Sequence, residues 1–229
     1  FARLLPADVS RTHGYDALLP KVKPSIGHLG VYIGLKATAA ELGLPKTNFW
    51  IYPNNDYDGT LAKFEADPSG PFPVVYLSFP SAKDPDFERR HPGRATIEIV
   101  APAPYEIFAP WAERTWGQRG DDYEALKRSY GERLLEHLYD KVPQVRGRID
   151  YWEVSTPLSM KWFCGWERGE LYGLDHDPSR MRQRWLRPRT KVPGLWLTGQ
   201  DIMSCGVSGA MMGGLAAATA IAGVRRMAP

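Results

Sequence analysis

The stretch GQDIMSCGVSGAMMGG, residues 199–214, decides the fold. A short apolar run, GLWLT, precedes it, and small or flexible apolar residues follow as far as residue 224. This pattern predicts a short buried strand over residues 194–201 and a helix over residues 206–224. A strand, a loop and a helix in this order are typical of α/β construction.

The glycines at the start of the predicted helix would let a ligand approach the backbone closely. The helix N-terminus adds about half a positive charge, which favours electron-rich groups. Asp201 is placed to accept hydrogen bonds from ribose or ribityl hydroxyls, as acidic residues do in dinucleotide sites. Two other interpretations remain open: the glycines only pack the helix on a sheet, or the uncharged residues 202–224 span a membrane.

The chain before this segment has a different pattern. β-branched and aromatic residues cluster in runs that predict strands at residues 27–36, 48–53, 73–79, 94–100 and 148–154. We expect the first two runs to be neighbours in a mostly antiparallel sheet. Leucine and tyrosine residues at helical spacing predict a helix over residues 123–140.

Composition excludes several classes of protein. A formal charge of +3 is too small for a dedicated nucleic-acid binder. The two cysteines, Cys164 and Cys205, suggest neither a metal site nor a disulfide framework, which favours a reducing compartment. The opening FARLLPADVS does not start with Met and has no signal-peptide pattern, so we expect the true N-terminus to lie upstream.

Residues 193–221, PGLWLTGQDIMSCGVSGAMMGGLAAATAI, resemble the C-terminal flavin-binding signature of the phytoene desaturase superfamily. The motifs LTGQDI and GVSGA, with Cys205 between them, are most similar to the retinol saturase and carotenoid isomerase family. The similarity extends upstream through ELYGLDHDPSR, STPLS, FPSAKDP and HLGVYIGLK. Most of the chain is therefore covered.

The resemblance implies an FAD-dependent oxidoreductase that saturates a C=C bond of a retinoid or carotenoid polyene, with isomerisation or desaturation as alternatives. It implies an α/β fold class: an α+β substrate-binding domain with a mostly antiparallel sheet at 1–190, and the last strand, loop and helix of a Rossmann-like FAD-binding domain at 191–229. The implied cofactor contacts are Gly199, Gln200 and Asp201 on the ribityl side, and Gly206, Val207, Ser208 and Gly209 at the flavin ring.

Proton transfer is assigned to the segment ELYGLDHDP. Reduction of a polyene needs a proton on the second carbon, and a positioned acid accelerates such a step. Tyr172 and His176 are the titratable side chains closest in sequence to the turn that resembles the flavin contact. We expect one of them to supply or relay this proton, with bracing of the loop as the alternative.

The G-x-G-x-x-G motif that receives the ADP part of FAD does not occur in this sequence. We therefore expect a C-terminal portion of a longer enzyme, whose N-terminal FAD-binding portion is its partner. A non-catalytic module that binds an apolar ligand is the alternative from another class. Peripheral contact with a membrane, from the cytoplasm or another reducing compartment, is compatible with either.

Two side-chain groups allow two readings each. The aromatic residues Trp162, Phe163 and Trp166 could form ordinary core or line a polyene channel. The arginines at positions 180, 182, 184, 187 and 189 are expected to form a solvated face, with an anionic surface as the alternative partner.

Overall fold

The computed structural model describes residues 4–223. These residues form two compact units. The sheet unit is residues 26–169, and the terminal unit is residues 4–25 together with 170–223. The division predicted from the sequence, at residue 190, stays a prediction.

Within residues 4–223 the strands all lie in the sheet unit: β1 (Gly27–Leu35), β2 (Phe49–Ile51), β3 (Val75–Ser78), β4 (Ala95–Ala103) and β5 (Ile149–Ser155). The α-helices are α1 (Ala7–Thr12), α2 (Tyr57–Ala66), α3 (Pro80–Lys83), α4 (Phe87–Arg90), α5 (Asp121–Lys141), α6 (Pro157–Cys164), α7 (Pro178–Met181) and α8 (Gly206–Ala222). Of these helices, α1, α7 and α8 belong to the terminal unit.

The five strands form one sheet in the order β2-β3-β4-β1-β5, and every neighbouring pair is antiparallel. The predicted fold class, mixed α and β with a mostly antiparallel sheet, is confirmed. The expectation that residues 27–36 and 48–53 neighbour each other is wrong. β1 pairs with β4 along all nine residues, a far longer ladder than the three-residue β2 could offer, and β2 lies at the sheet edge.

The core of the sheet unit lies against one face of this sheet, called the inner face. Burial alternates strictly along β4, so its odd-numbered residues point inward. Helix α5 belongs to the same core through Leu134 and Leu138, both fully buried. The helix predicted over residues 123–140 is therefore confirmed, and burial of its apolar stripe explains its stability.

A buried polar network joins the start of α5 to α6. Arg119, which is 4% exposed, donates from Nη2 to the carbonyl oxygen of Leu158 and lies over the ring of Tyr123. The hydroxyl of Tyr123 is 2.8 Å from the Oγ1 atom of Thr156, which caps α6. The Nη2 atom of Arg119 and the hydroxyls of Tyr123 and Thr156 thus each have a partner, whereas the Nε atom of Arg119 is buried without one among residues 4–223.

The strand predicted over residues 194–201 does not form. The segment contains one isolated bridge, between Arg189 and Trp196, and a 3-10 turn at Gln200–Ile202. The side chain of Thr190 donates to the carbonyl oxygen of Leu195 in place of a ladder hydrogen bond. A strand needs a neighbouring strand, and none of the described residues provides one here.

The helix predicted over residues 206–224 is confirmed as α8, and residue 224 lies outside the described residues. Among residues 4–223, none of the helices combines the length and the apolar character needed to cross a bilayer.

Two expectations about side chains are corrected by their exposure. Trp162 and Phe163 are 52% and 66% exposed, so the core interpretation is wrong for them. Phe163 packs against Trp116 at the surface of the sheet unit. Arg180 is only 3% exposed, whereas the other four arginines of its run are exposed, so the solvated face excludes Arg180.

We predict that Gly131→Ala in α5 destabilises the protein although alanine favours helices. The new Cβ atom would overlap the ring of Trp152 and lie 2.6 Å from the Cγ2 atom of Val154. Overpacking costs about 1–3 kcal/mol, more than the gain of about 1 kcal/mol in helix propensity. Urea unfolding followed by tryptophan fluorescence measures the difference, with the exposed Ser129→Ala in the same helix as control. Equal stability of the two variants would contradict this close approach of α5 to β5.

Candidate functional site

Two segments of the terminal unit are joined by the carboxylate of Asp201. Its Oδ1 atom accepts a hydrogen bond from the backbone N–H of Leu174, with an N–O distance of 3.0 Å. A side chain on Gly173 would lie 2.5 Å from the same oxygen, so glycine is needed for this approach. The loop at 172–176, which contains Tyr172 and His176, is therefore held beside the loop before α8.

The buried guanidinium of Arg180 holds the second loop from the other side. Its Nη1 and Nη2 atoms donate to the backbone carbonyls of Asp201 and Met203, the latter at 3.0 Å. Asp177 caps α7 by accepting the backbone N–H of Arg180 at 2.7 Å, and this hydrogen bond holds the pKa of Asp177 below its ordinary value. The short helix thus turns Arg180 inward.

Sequence reasoning missed Arg180 as part of the site. The available signal was the pair Asp177 and Pro178, an N-cap residue followed by proline at the first helical position. That signal predicts a helix start, but it does not show which of five nearby arginines becomes buried.

The start of α8 leaves backbone donors for a ligand. The side-chain oxygen of Gln200 accepts the N–H of Gly206 at 3.1 Å, while Cys205 provides no side-chain cap. The next two residues, Val207 and Ser208, are exposed. Gly206 has a φ of 85°, and no atom lies within 4 Å of the position where its Cβ would be. An electron-rich group could therefore approach this end of the helix.

Other glycines of the motif have a packing role. A Cβ atom on Gly209 would overlap the backbone carbonyl of Ser204, and one on Gly213 would overlap the backbone of Gly199. Helix α8 therefore rests directly on the loop at 199–204. The packing interpretation holds for these two positions, so a change at Gly209 would disturb the loop whether or not a ligand binds there.

His176 has one ring nitrogen bound and one unpaired. Its Nδ1 atom is 3.0 Å from the carbonyl oxygen of Leu174, so Nδ1 carries a proton in this contact. The Nε2 atom is buried and has no hydrogen-bond partner within residues 4–223. Tyr172 is 41% exposed, and its backbone N–H donates to the Oγ of Ser25. The Tyr172 side chain is thus accessible to solvent, whereas the free nitrogen of the His176 ring is buried.

The structure brings the predicted site residues into one unit of the chain. Asp201 links the loop of Tyr172 and His176 to the loop of Gly199 and Gln200. The remaining predicted residues, Gly206, Val207, Ser208 and Gly209, form the first turn of α8.

Comparison with known proteins finds relatives that share one name. The chain is 35% identical over 228 residues to proteins named all-trans-retinol 13,14-reductase from Macaca fascicularis and from Homo sapiens. The aligned region covers 96% of this chain and 37% of those relatives. A Danio rerio protein named as an inactive all-trans-retinol 13,14-reductase is 29% identical over 231 residues, with the same coverage.

No family model matches the chain. The similarity to the reductases nevertheless runs through both units, because it covers 96% of the chain. It therefore includes the loop of Tyr172 and the start of α8. The resemblance to the retinol saturase family is thus confirmed for this chain, which spans 37% of the length of those relatives.

Proposed function

We propose that this chain is the C-terminal portion of an FAD-dependent oxidoreductase that saturates a C=C bond of a retinoid or carotenoid polyene. The observation that supports this most is the 35% identity to all-trans-retinol 13,14-reductases over 96% of the chain. The joined loops at 172–176 and 199–206 add a site of suitable chemistry. Isomerisation or desaturation of the same substrate class is the alternative.

The residues at the start of α8 fit a flavin. The first helical turn at the exposed residues Val207 and Ser208, with open space at Gly206, would hold the electron-rich edge of the ring through its backbone N–H groups. Asp201 uses Oδ1 within the protein, which leaves Oδ2 for a ribityl hydroxyl, and Gly199 and Gln200 would flank that part of the cofactor. When bound, FAD would supply the hydride chemistry.

The chain's own residues would then manage the proton. The carbonyl of Leu174 fixes the His176 ring through Nδ1, so a protonated ring would present an N–H at Nε2. The exposed hydroxyl of Tyr172 could donate directly or relay a proton. Placing an acid beside the carbon that receives the proton typically contributes 10² to 10⁴-fold in rate.

The remaining part of the protein would cover the exposed side of α8. Val207, Met211 and Leu215 recur every four residues along one stripe of the helix and are 88%, 67% and 59% exposed. A stripe of this kind is normally buried against another element. We propose that the N-terminal FAD-binding portion, which belongs to the 63% of the relatives not matched here, covers it.

The compartment is proposed from cysteine chemistry. Cys164 and Cys205 are both free and exposed, which suits a reducing environment such as the cytoplasm or the cytoplasmic face of a membrane. A lipid-like substrate would make peripheral membrane contact useful. A non-catalytic apolar-ligand module is the alternative from another class.

The decisive experiment uses the complete polypeptide. We expect it to purify with FAD and, after anaerobic reduction, to convert all-trans-retinol or a carotenoid to a product with one C=C bond fewer. Chromatography with mass detection separates this product from an isomerised or further desaturated one. Isomerisation by the reduced enzyme, or desaturation by the same enzyme with its flavin oxidised, would favour the alternative reactions. Binding of the polyene without flavin or turnover would favour the non-catalytic module.

We predict that Asp201→Asn weakens FAD binding roughly fivefold without lowering the unfolding temperature of the flavin-free protein. Asparagine keeps an oxygen for the Leu174 N–H but loses the charge that strengthens a hydrogen bond to a ribityl hydroxyl. Asp201→Ala should lower both quantities, because it also releases the loop. Flavin titration and thermal unfolding measure them, with the exposed Asp16→Ala as control. Parental FAD affinity in Asp201→Asn would remove Asp201 from the cofactor site.

We predict that Tyr172→Phe or His176→Gln slows reoxidation of the reduced flavin by the polyene at least tenfold while flavin content stays at the parental level. Neither change removes a carboxylate or arginine contact that holds the loops. Single-turnover absorbance in the complete enzyme measures the rate. His137→Gln, a change outside the terminal unit, is the control. Parental rates in both test variants would place the proton donor elsewhere.

A further inference from the structure

The outer face of the sheet, opposite the core, presents large aromatic side chains to solvent. Tyr32, Trp50 and Tyr151 on this face are 46%, 62% and 62% exposed. Alternate residues of each strand share one face, so these side chains point away from the buried leucines and isoleucines. Large aromatic side chains gathered on one exposed sheet face are suited to binding an apolar partner or ligand.

One row of residues crosses this outer face from edge to edge. Trp50 pairs with Tyr76, Tyr76 with Val100, Val100 with Gly30, and Gly30 with Ser155. Neighbouring strands are about 4.8 Å apart, so the row is about 19 Å long. The rings of Trp50 and Tyr76 are 4.6 Å apart at one end. The row thus has an aromatic end, a middle of small apolar residues and a polar end.

Polar groups without partners surround Gly30 at the polar end. His28, two residues away on the same face, is 7% exposed. Its Nδ1 atom and the Oγ atom of Ser155 are buried and have no hydrogen-bond partner within the described part of the chain. A Cβ atom on Gly30 would lie 2.9 Å from Ser155 Oγ and 3.1 Å from Tyr32 Oη, so both hydroxyls converge above the glycine. Buried polar atoms are rarely left unpaired, which points to a polar group from outside.

The chemistry of this cluster matches an alcohol. Burial lowers the pKa of His28, so its ring is neutral near pH 7 and offers one donor and one acceptor. The hydroxyls of Tyr32 and Ser155 can also donate or accept a hydrogen bond, as can the hydroxyl of an alcohol. Glu98, the register partner of Tyr32, forms no ion pair within residues 4–223, and its negative charge disfavours a carboxylate at this end.

We propose that His28, Tyr32 and Ser155 bind the hydroxyl end of an extended polyene alcohol whose chain lies along the row toward Trp50. This inference rests on the proposed function and assigns the side chains that would hold the hydroxyl group of such a substrate. The phenol end of Tyr32 lies above Gly30 and shields Ser155, so rotation of this half-exposed side chain admits the hydroxyl.

The test compares two polyenes on the complete, cofactor-bound protein. The probes are all-trans-retinol and the same polyene with a methyl group in place of the hydroxymethyl group, titrated by quenching of tryptophan fluorescence. Ser155→Ala should weaken binding of the alcohol about fivefold and leave the hydrocarbon unchanged. Gly30→Ala should weaken the alcohol at least tenfold, because its Cβ occupies the place where the hydroxyls converge.

Matched controls separate this effect from loss of structure. Gly34→Ala lies on the same strand and face, but its Cβ would meet only Tyr151, at 3.9 Å, and should change neither affinity. Ser129→Ala on α5 controls for the loss of a hydroxyl. If Gly30→Ala does not fold, Ser155→Ala decides the question.

The outcomes distinguish the inference from the function on which it rests. If the parent protein binds and reduces the polyene but Ser155→Ala keeps parental affinity for the alcohol, the proposed hydroxyl site at His28, Tyr32 and Ser155 is wrong and the proposed function stands. An equal loss of affinity for the alcohol and for the hydrocarbon also overturns the proposed hydroxyl site. If the parent binds neither polyene, the proposed function fails and the inference fails with it.

Discussion

The buried guanidinium of Arg180 is the contact on which the candidate site depends. The carbonyls of Asp201 and Met203 lie in and just after the short 3-10 turn at Gln200–Ile202, and they accept charge-assisted hydrogen bonds from one side chain. With its backbone held in this way, Asp201 directs its carboxylate to the N–H of Leu174. Removal of the guanidinium would leave two carbonyls unpaired and free both loops, so any role of Tyr172 and His176 depends on it.

The sheet shows what local sequence patterns can and cannot predict. Runs of β-branched and aromatic residues located all five strands, because propensity and alternation are local properties. Pairing is not local. Successive strands usually pair, which is why β1 and β2 were expected to be neighbours. The long register between β1 and β4 buries more apolar surface, and this gain depends on residues that are about 70 positions apart.

The candidate site was only partly predictable, because motifs are local in sequence whereas the contacts between them are not. Motif similarity pointed to the loop at 172–176 and to residues 199–209, and the structure joins the two through Asp201. The strand at 194–201 was wrong because an apolar run needs a partner strand, whereas here Thr190 and a 3-10 turn satisfy the backbone. Arg180 could not be identified, since a run of arginines looks alike whether its members are buried or exposed.

The glycines of α8 show how one motif can combine two requirements. Gly209 and Gly213 are needed because the helix touches the backbone of its own preceding loop, and no ligand is required to explain them. Gly206 meets nothing within 4 Å, and its positive φ only sets the direction in which the chain enters the helix. The open space at this position, at the start of the first turn of α8, is therefore the part of the motif that packing leaves unexplained. A cofactor that approaches the helix end would account for it, and Gly206 is accordingly a better marker of that approach than Gly209.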